Sequence, residues 1–148
     1  MKQTIISYHT GFWFSPSSGA DNSLTGVNND RPNEVTGVNF YTSGACATVA
    51  PCMNYFNPAD YTKNPKGTFG DAGRNSIRGP GYFDIDTSVS RYFQIREGQR
   101  LEARFEAFNV GNNVSFNNPT NNITSGRFGL ITGANNPRIL QLALKYYF

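Results

Sequence analysis

Arg138-Ile139-Leu140-Gln141-Leu142-Ala143-Leu144-Lys145-Tyr146-Tyr147-Phe148 is the stretch on which the fold is decided. After Arg138, the even positions carry Leu140, Leu142, Leu144, Tyr146 and Phe148. The odd positions carry Ile139, Gln141, Ala143, Lys145 and Tyr147. One side is large and apolar and the other is mixed. This is the period of two in which successive side chains point to opposite faces of a strand. Eleven residues also match the roughly 9–11 that a tilted strand needs to cross a bilayer.

Two further alternating stretches lie upstream. Between Tyr82 and Ile95, one face holds Phe83, Ile85, Thr87, Val89, Phe93 and Ile95, and the other holds Asp84, Asp86, Ser88, Ser90 and Gln94. In the next stretch Leu101, Ala103, Phe105 and Ala107 alternate with Arg100, Glu102, Arg104 and Glu106. Only Arg96-Glu97-Gly98 separates the two, a loop ending in Gly as a tight hairpin requires. Closing Ile95 on Gln99 predicts Ser90 opposite Arg104 and Phe93 opposite Leu101, because matching faces demands that parity. A fourth stretch, Thr4 to Phe14, places Ile6, Tyr8, Phe12 and Phe14 on one side and ends at Pro16. The expected fold is therefore all-β, an antiparallel meander of four main strands at 3–14, 82–95, 99–111 and 138–148. Arg91 on the apolar face, and Phe108 and Val110 on the charged one, break the pattern.

The remainder reads as two long irregular segments, Ser15 to Gly81 and Asn112 to Pro137. The chain of 148 residues holds 18 Asn, 15 Gly and 8 Pro, more than a quarter in residues that favour turns over helices. Charged residues make up 16 %, low for a soluble surface, and the net charge of +3 comes from scattered residues. No basic cluster suggests a nucleic-acid groove. No apolar run is long enough for a transmembrane helix or a signal peptide, although alternating barrel strands escape that measure. An export signal is expected on a piece of chain outside these residues. Long and very short connections alternate, as in outer-membrane barrels. Four strands do not close a barrel, since the smallest have eight.

Several stretches carry a resemblance. Phe69-Gly70-Asp71-Ala72-Gly73-Arg74-Asn75-Ser76-Ile77-Arg78-Gly79-Pro80-Gly81-Tyr82-Phe83-Asp84-Ile85-Asp86 is similar to the last part of Oar-like TonB-dependent outer-membrane receptors. So are Leu101 to Asn109, Asn135 to Gln141, Asp21 to Gly26 and Asn29 to Asn33. The resemblance implies that residues 1–148 are the C-terminal part of a 22-stranded transmembrane barrel with long extracellular loops. It implies the bacterial outer membrane as location, and energised ligand uptake as the role of the complete receptor. It implies as partners outer-membrane lipid, the remaining strands and plug, TonB through a missing N-terminal part, and an unknown ligand. Leu140, Leu142, Leu144, Tyr146 and Phe148 resemble the signal read by the barrel-assembly machinery. Tyr41, Tyr55 and Phe56, in Asn/Tyr-rich loops, are the candidate ligand contacts.

No catalytic, metal or cofactor site is expected. His9 is the only histidine, which excludes a histidine cluster within the chain. Asp84 and Asp86 sit two apart, roughly 7 Å along a strand, near the ~5–5.5 Å of paired glycosidase carboxylates. They read better as lumen-facing charges on the face of Arg100 and Arg104. Gly79-Pro80-Gly81 lacks the Lys and helix of a phosphate loop. The Asn pairs lack the acidic order of a calcium loop. Cys46 and Cys52 are expected to form a small loop disulfide in an oxidising envelope. The rival reading is a secreted soluble β-sandwich that binds carbohydrate through exposed aromatics, its apolar face covered by a second sheet.

Overall fold

The computed structural model describes residues 1–37, 40–42, 44 and 52–148. They fall into two units. One comprises Met1–Thr10, Gly81–Ser115 and Asn135–Phe148, the other Gly11–Pro80 and Phe116–Ala134. The strands in chain order are β1 (Lys2–His9), β2 (Trp13–Phe14), β3 (Asn33–Glu34), β4 (Met53–Asn54), β5 (Tyr61–Thr62), β6 (Ile77–Arg78), β7 (Tyr82–Arg96), β8 (Gln99–Phe108), β9 (Leu130–Ile131) and β10 (Ile139–Tyr147). A single 3-10 turn, Pro58–Asp60, is the only helical element among the described residues. The all-β class expected from the alternation is what the chain forms.

The first unit is one four-stranded antiparallel sheet in the order β1-β7-β8-β10. These are the four long strands in chain order, so the meander is as the sequence predicts. Ser90 lies opposite Arg104 and Phe93 opposite Leu101, the parity set by face matching. The closing pair differs. Arg96 rather than Ile95 faces Gln99, and the register shifts between Gln94 and Arg96. Gly98 takes φ +78° at the turn. A bulge absorbs the extra residue while a glycine supplies the left-handed backbone that a short hairpin needs.

Two strand ends also differ from the expected ones. The stretch read as 3–14 stops at His9, and Trp13–Phe14 pairs instead with Ile77–Arg78 in the second unit. Gly11 is the cause. A Cβ there would overlap the Gly79 carbonyl, and the Gly79 N–H donates to Phe12 O at 2.9 Å. Two backbones in contact leave no room for a side chain, so the alternation of Phe12 and Phe14 with Ile6 and Tyr8 ends there. The strand read as 99–111 ends at Phe108, because Asn109 turns to φ +51°. Its side-chain amide donates to Asn113 O at 2.9 Å and its backbone N–H donates to Asp86 Oδ1 at 3.0 Å. Val110 thus falls beyond the strand, and its misfit disappears.

The second unit replaces what reads as irregular loop with three two-residue ladders, β2–β6, β3–β5 and β4–β9. They surround a core of Phe56, Tyr61, Ala72, Ile77 and Phe128, flanked by Phe14, Phe40, Tyr55 and Ile123. Phe56 is 0 % exposed. Its ring stacks on Phe40 at 5.5 Å and meets Phe128 edge-on at 5.0 Å. Burying one such side chain contributes about 1.5–3 kcal/mol. Segments distant in sequence are stitched together: Ser17 N–H donates to Asn121 O at 2.8 Å and Ile123 N–H to Ser17 O at 2.9 Å.

Candidate functional site

The functional surface of the first unit is the sheet itself, whose two faces are chemically opposed. The register puts Leu140 opposite Ala107, Leu142 opposite Phe105, Leu144 opposite Ala103 and Tyr146 opposite Leu101. The same face continues through Phe93 and Val89 of β7 to Ile6 and Tyr8 of β1. Leu142 is 84 % exposed and Leu144 74 %, so no second sheet among the described residues covers them. A stripe of this kind exceeds what a soluble monomer tolerates and suits lipid tails. The covered apolar face required by a soluble sandwich is not what the strands form. The nine residues of β10 rise about 31 Å, or about 22 Å at a 45° tilt, close to the ~25 Å apolar band of a barrel.

The opposite face is polar and internally bonded. Glu102 is almost fully buried. It accepts from Arg104 Nη2 at 3.0 Å and from the Tyr147 hydroxyl at 2.8 Å. Arg104 also reaches Glu106, Nη1 to Oε1 at 3.7 Å. The Arg100 guanidinium lies 4.6 Å from the Tyr147 ring centroid and 5.3 Å from that of Tyr92. Lys145 Nζ stands 4.8 Å from the Tyr147 ring. Strand pairing brings these groups together, since Tyr92, Glu102 and Lys145 share one row across β7, β8 and β10. At the other end of β7, Asp84 Oδ2 accepts from the Tyr82 hydroxyl at 3.0 Å, and Tyr82 stacks on His9 at 5.2 Å. Asp84 and Asp86 therefore hold strand ends: one accepts a phenol, the other the Asn109 backbone N–H. No group of three metal-ligating side chains occurs among the described residues, and no helix there is long and apolar enough to cross a membrane.

In the second unit the three candidate ligand contacts separate. Tyr41 is exposed, and its ring meets Tyr55 edge-on at 5.9 Å. Tyr55 is partly buried, and its hydroxyl donates to Arg78 O at 2.9 Å. Phe56 is fully buried, so it is a core residue and not a surface contact. A period-based reading does not see this, because the residues that bury it, Phe40, Tyr61 and Phe128, come from three separate segments. The structure instead opens a cleft of about 360 Å³ lined by Tyr61, Lys63, Thr124, Ser125 and Phe128 among others. Burial pushes the Tyr61 phenol up to about 12. Burial likewise raises Asp60. At Asp21, desolvation pushes upward, but the Gly26 and Thr25 N–H groups and the Ser23 and Thr25 hydroxyls outweigh it and hold the carboxyl below its ordinary value. The Cys46–Cys52 bond lies outside the described residues, because Cys46 is not among them.

A family model described as an outer membrane beta barrel domain matches residues 2–141. No curated protein matches the chain. No solved structure matches it.

Proposed function

We propose, from the premise that this chain belongs to the outer membrane beta barrel domain family and that it lies in the bacterial outer membrane, that it forms a segment of the barrel wall of a TonB-dependent receptor of the Oar-like kind. The four long strands form wall. Their apolar face meets lipid and their polar face meets the lumen, as the solvent on each side demands. The observation that carries the reading is the asymmetry of connections. A tight Glu97-Gly98 turn joins β7 to β8, whereas Gly11–Pro80 and Phe116–Ala134 build a folded unit with its own core. Short turns face the periplasm and elaborate loops face the exterior, where a ligand arrives. On this reading Tyr41 and the cleft beside Lys63 are the ligand contacts. The Leu140, Leu142, Leu144, Tyr146 and Phe148 series is what the assembly machinery reads. The segment contributes no catalytic group.

The test is to read the coding frame upstream of Met1 and purify the complete chain. A plug-like segment and retention of the chain on the immobilised periplasmic domain of TonB are expected. A complete chain with no plug and no retention would refute the receptor reading while leaving the barrel wall intact.

A further inference from the structure

The second unit buries Phe56, Tyr61 and Phe128 but leaves other large rings on its surface, among them Trp13 at 58 % exposure and Tyr41 at 60 %. These two are tied into one constellation through Arg78 and Tyr55. Trp13 pairs with Arg78 in the β2–β6 ladder, and the Arg78 guanidinium lies 5.8 Å from the Trp13 ring centroid. The Arg78 carbonyl accepts from the Tyr55 hydroxyl at 2.9 Å. The Tyr55 ring meets the Tyr41 ring edge-on at 5.9 Å. Charge reports the same proximity. Burial pushes the Tyr55 phenol up, Tyr41 adds to the rise, and the Arg78 cation opposes both.

The group is held in place before any partner arrives. The ladder fixes the Arg78 backbone, and Tyr41 is bridged to the core residue Phe56. The Tyr41 ring also meets Phe40 edge-on at 4.6 Å. A surface so arranged loses little freedom on binding. Arg78 is exposed and forms no ion pair among the described residues. A guanidinium stacked on an aromatic ring keeps its edge free to bond a carboxylate through two parallel N–H groups. Trp, Tyr and Arg are also the residues that carry most binding energy at protein interfaces. Arg78 takes one face of the Trp13 ring, and Phe40 and Tyr55 both crowd the Tyr41 ring. What is left, ring edges and a guanidinium, suits the side chains of a polypeptide better than the flat face of a sugar.

We propose that Trp13, Arg78, Tyr55 and Tyr41 form a docking surface for an acidic polypeptide. One of its carboxylates bonds the Arg78 guanidinium, and an apolar side chain beside that carboxylate lies against Trp13 and Tyr41. The inference deepens the reading of Tyr41 as a ligand contact by naming the ligand class, and it rests on the second unit facing the exterior. Tyr41 and Tyr55 are visible as candidates in the sequence, whereas Trp13 and Arg78 join them only through the β2–β6 pairing.

The test presents the complete chain, fluorescently labelled and in detergent, to an array of immobilised octapeptides. Each carries a central glutamate flanked by apolar or aromatic residues, and a matched array carries glutamine instead. Wild type is expected to be retained on the glutamate array about tenfold more strongly than on the glutamine array, and less so at high salt. Arg78→Gln should abolish that difference. Trp13→Ala and Tyr41→Ala should each weaken retention on both arrays. Lys66→Gln removes an exposed cation of the same unit and should change nothing. Equal retention of wild type on the two arrays, or none on either, would overturn the proposal, as would an unchanged difference in Arg78→Gln. Stronger retention on immobilised oligogalacturonate than on the peptides would assign the surface to an acidic saccharide and overturn it too. Should Trp13→Ala fail to fold, Tyr41→Ala decides the apolar contact, and unchanged retention on both arrays refutes it. Binding to TonB is read separately, so its loss leaves this result untouched and the two readings fail apart.

Discussion

Substituting Leu142 by Arg tests whether the apolar face meets lipid. Ala143 is the middle residue of β10 (Ile139–Tyr147), so Leu142 lies one residue from the centre. At 3.4 Å per residue and 45° tilt, that is about 2.4 Å from the midplane. A cation at this depth costs about 2–4 kcal/mol. At 1.4 kcal/mol per tenfold, the folding equilibrium in the membrane should fall by ~30- to ~700-fold. The control is Gln141→Arg, one residue away on the opposite face. Gln141 lies across from Glu106, so a cation there gains a carboxylate and no lipid contact. Both variants of the complete chain should be refolded into vesicles and unfolded with urea, with heat-modifiable electrophoretic mobility as readout. Leu142→Arg should shift the midpoint strongly and Gln141→Arg hardly at all. Equal shifts would refute the assignment of faces, and a larger shift for Gln141→Arg would invert it.

Phe56→Ala removes the centre of the aromatic core of the second unit and should cost about 3–5 kcal/mol, read as faster proteolysis of residues 11–80 with the membrane strands intact. Gly11→Ala forces a Cβ onto the Gly79 carbonyl and should destabilise by about 1–3 kcal/mol, measured by the same proteolysis. Because the folded-state pKa of Asp21 is lowered, its stabilisation is fully present above the unfolded value and is lost as pH falls through the folded one. The stability difference between wild type and Asp21→Asn, followed by thermal melting, should therefore be present at about pH 6 and shrink below about pH 4. Thiol titration of the denatured, unreduced protein should find no free thiol, and two after reduction, if Cys46 and Cys52 are bonded as expected from their spacing in an oxidising compartment.

Alternation alone made the membrane strands legible. Leu140, Leu142 and Leu144, the charges of Arg100 to Glu106, and Gly98 at the turn are local signals. They settle the face of each residue and the hairpin parity with no knowledge of distant neighbours, because a strand's period of two is a property of its own backbone. Gly11 could not be read that way. Its need for a bare backbone comes from Gly79, which the chain reaches only after 67 intervening residues. Phe56 has the surroundings of a loop in sequence and of a core in space, because Phe40, Tyr61 and Phe128 close around it from three segments. The same holds for the row of Tyr92, Glu102 and Lys145. Local pattern determined which face of each strand is apolar. Pairing between distant segments decided which side chains meet, since burial and ion pairing are properties of neighbours in space rather than neighbours in the chain.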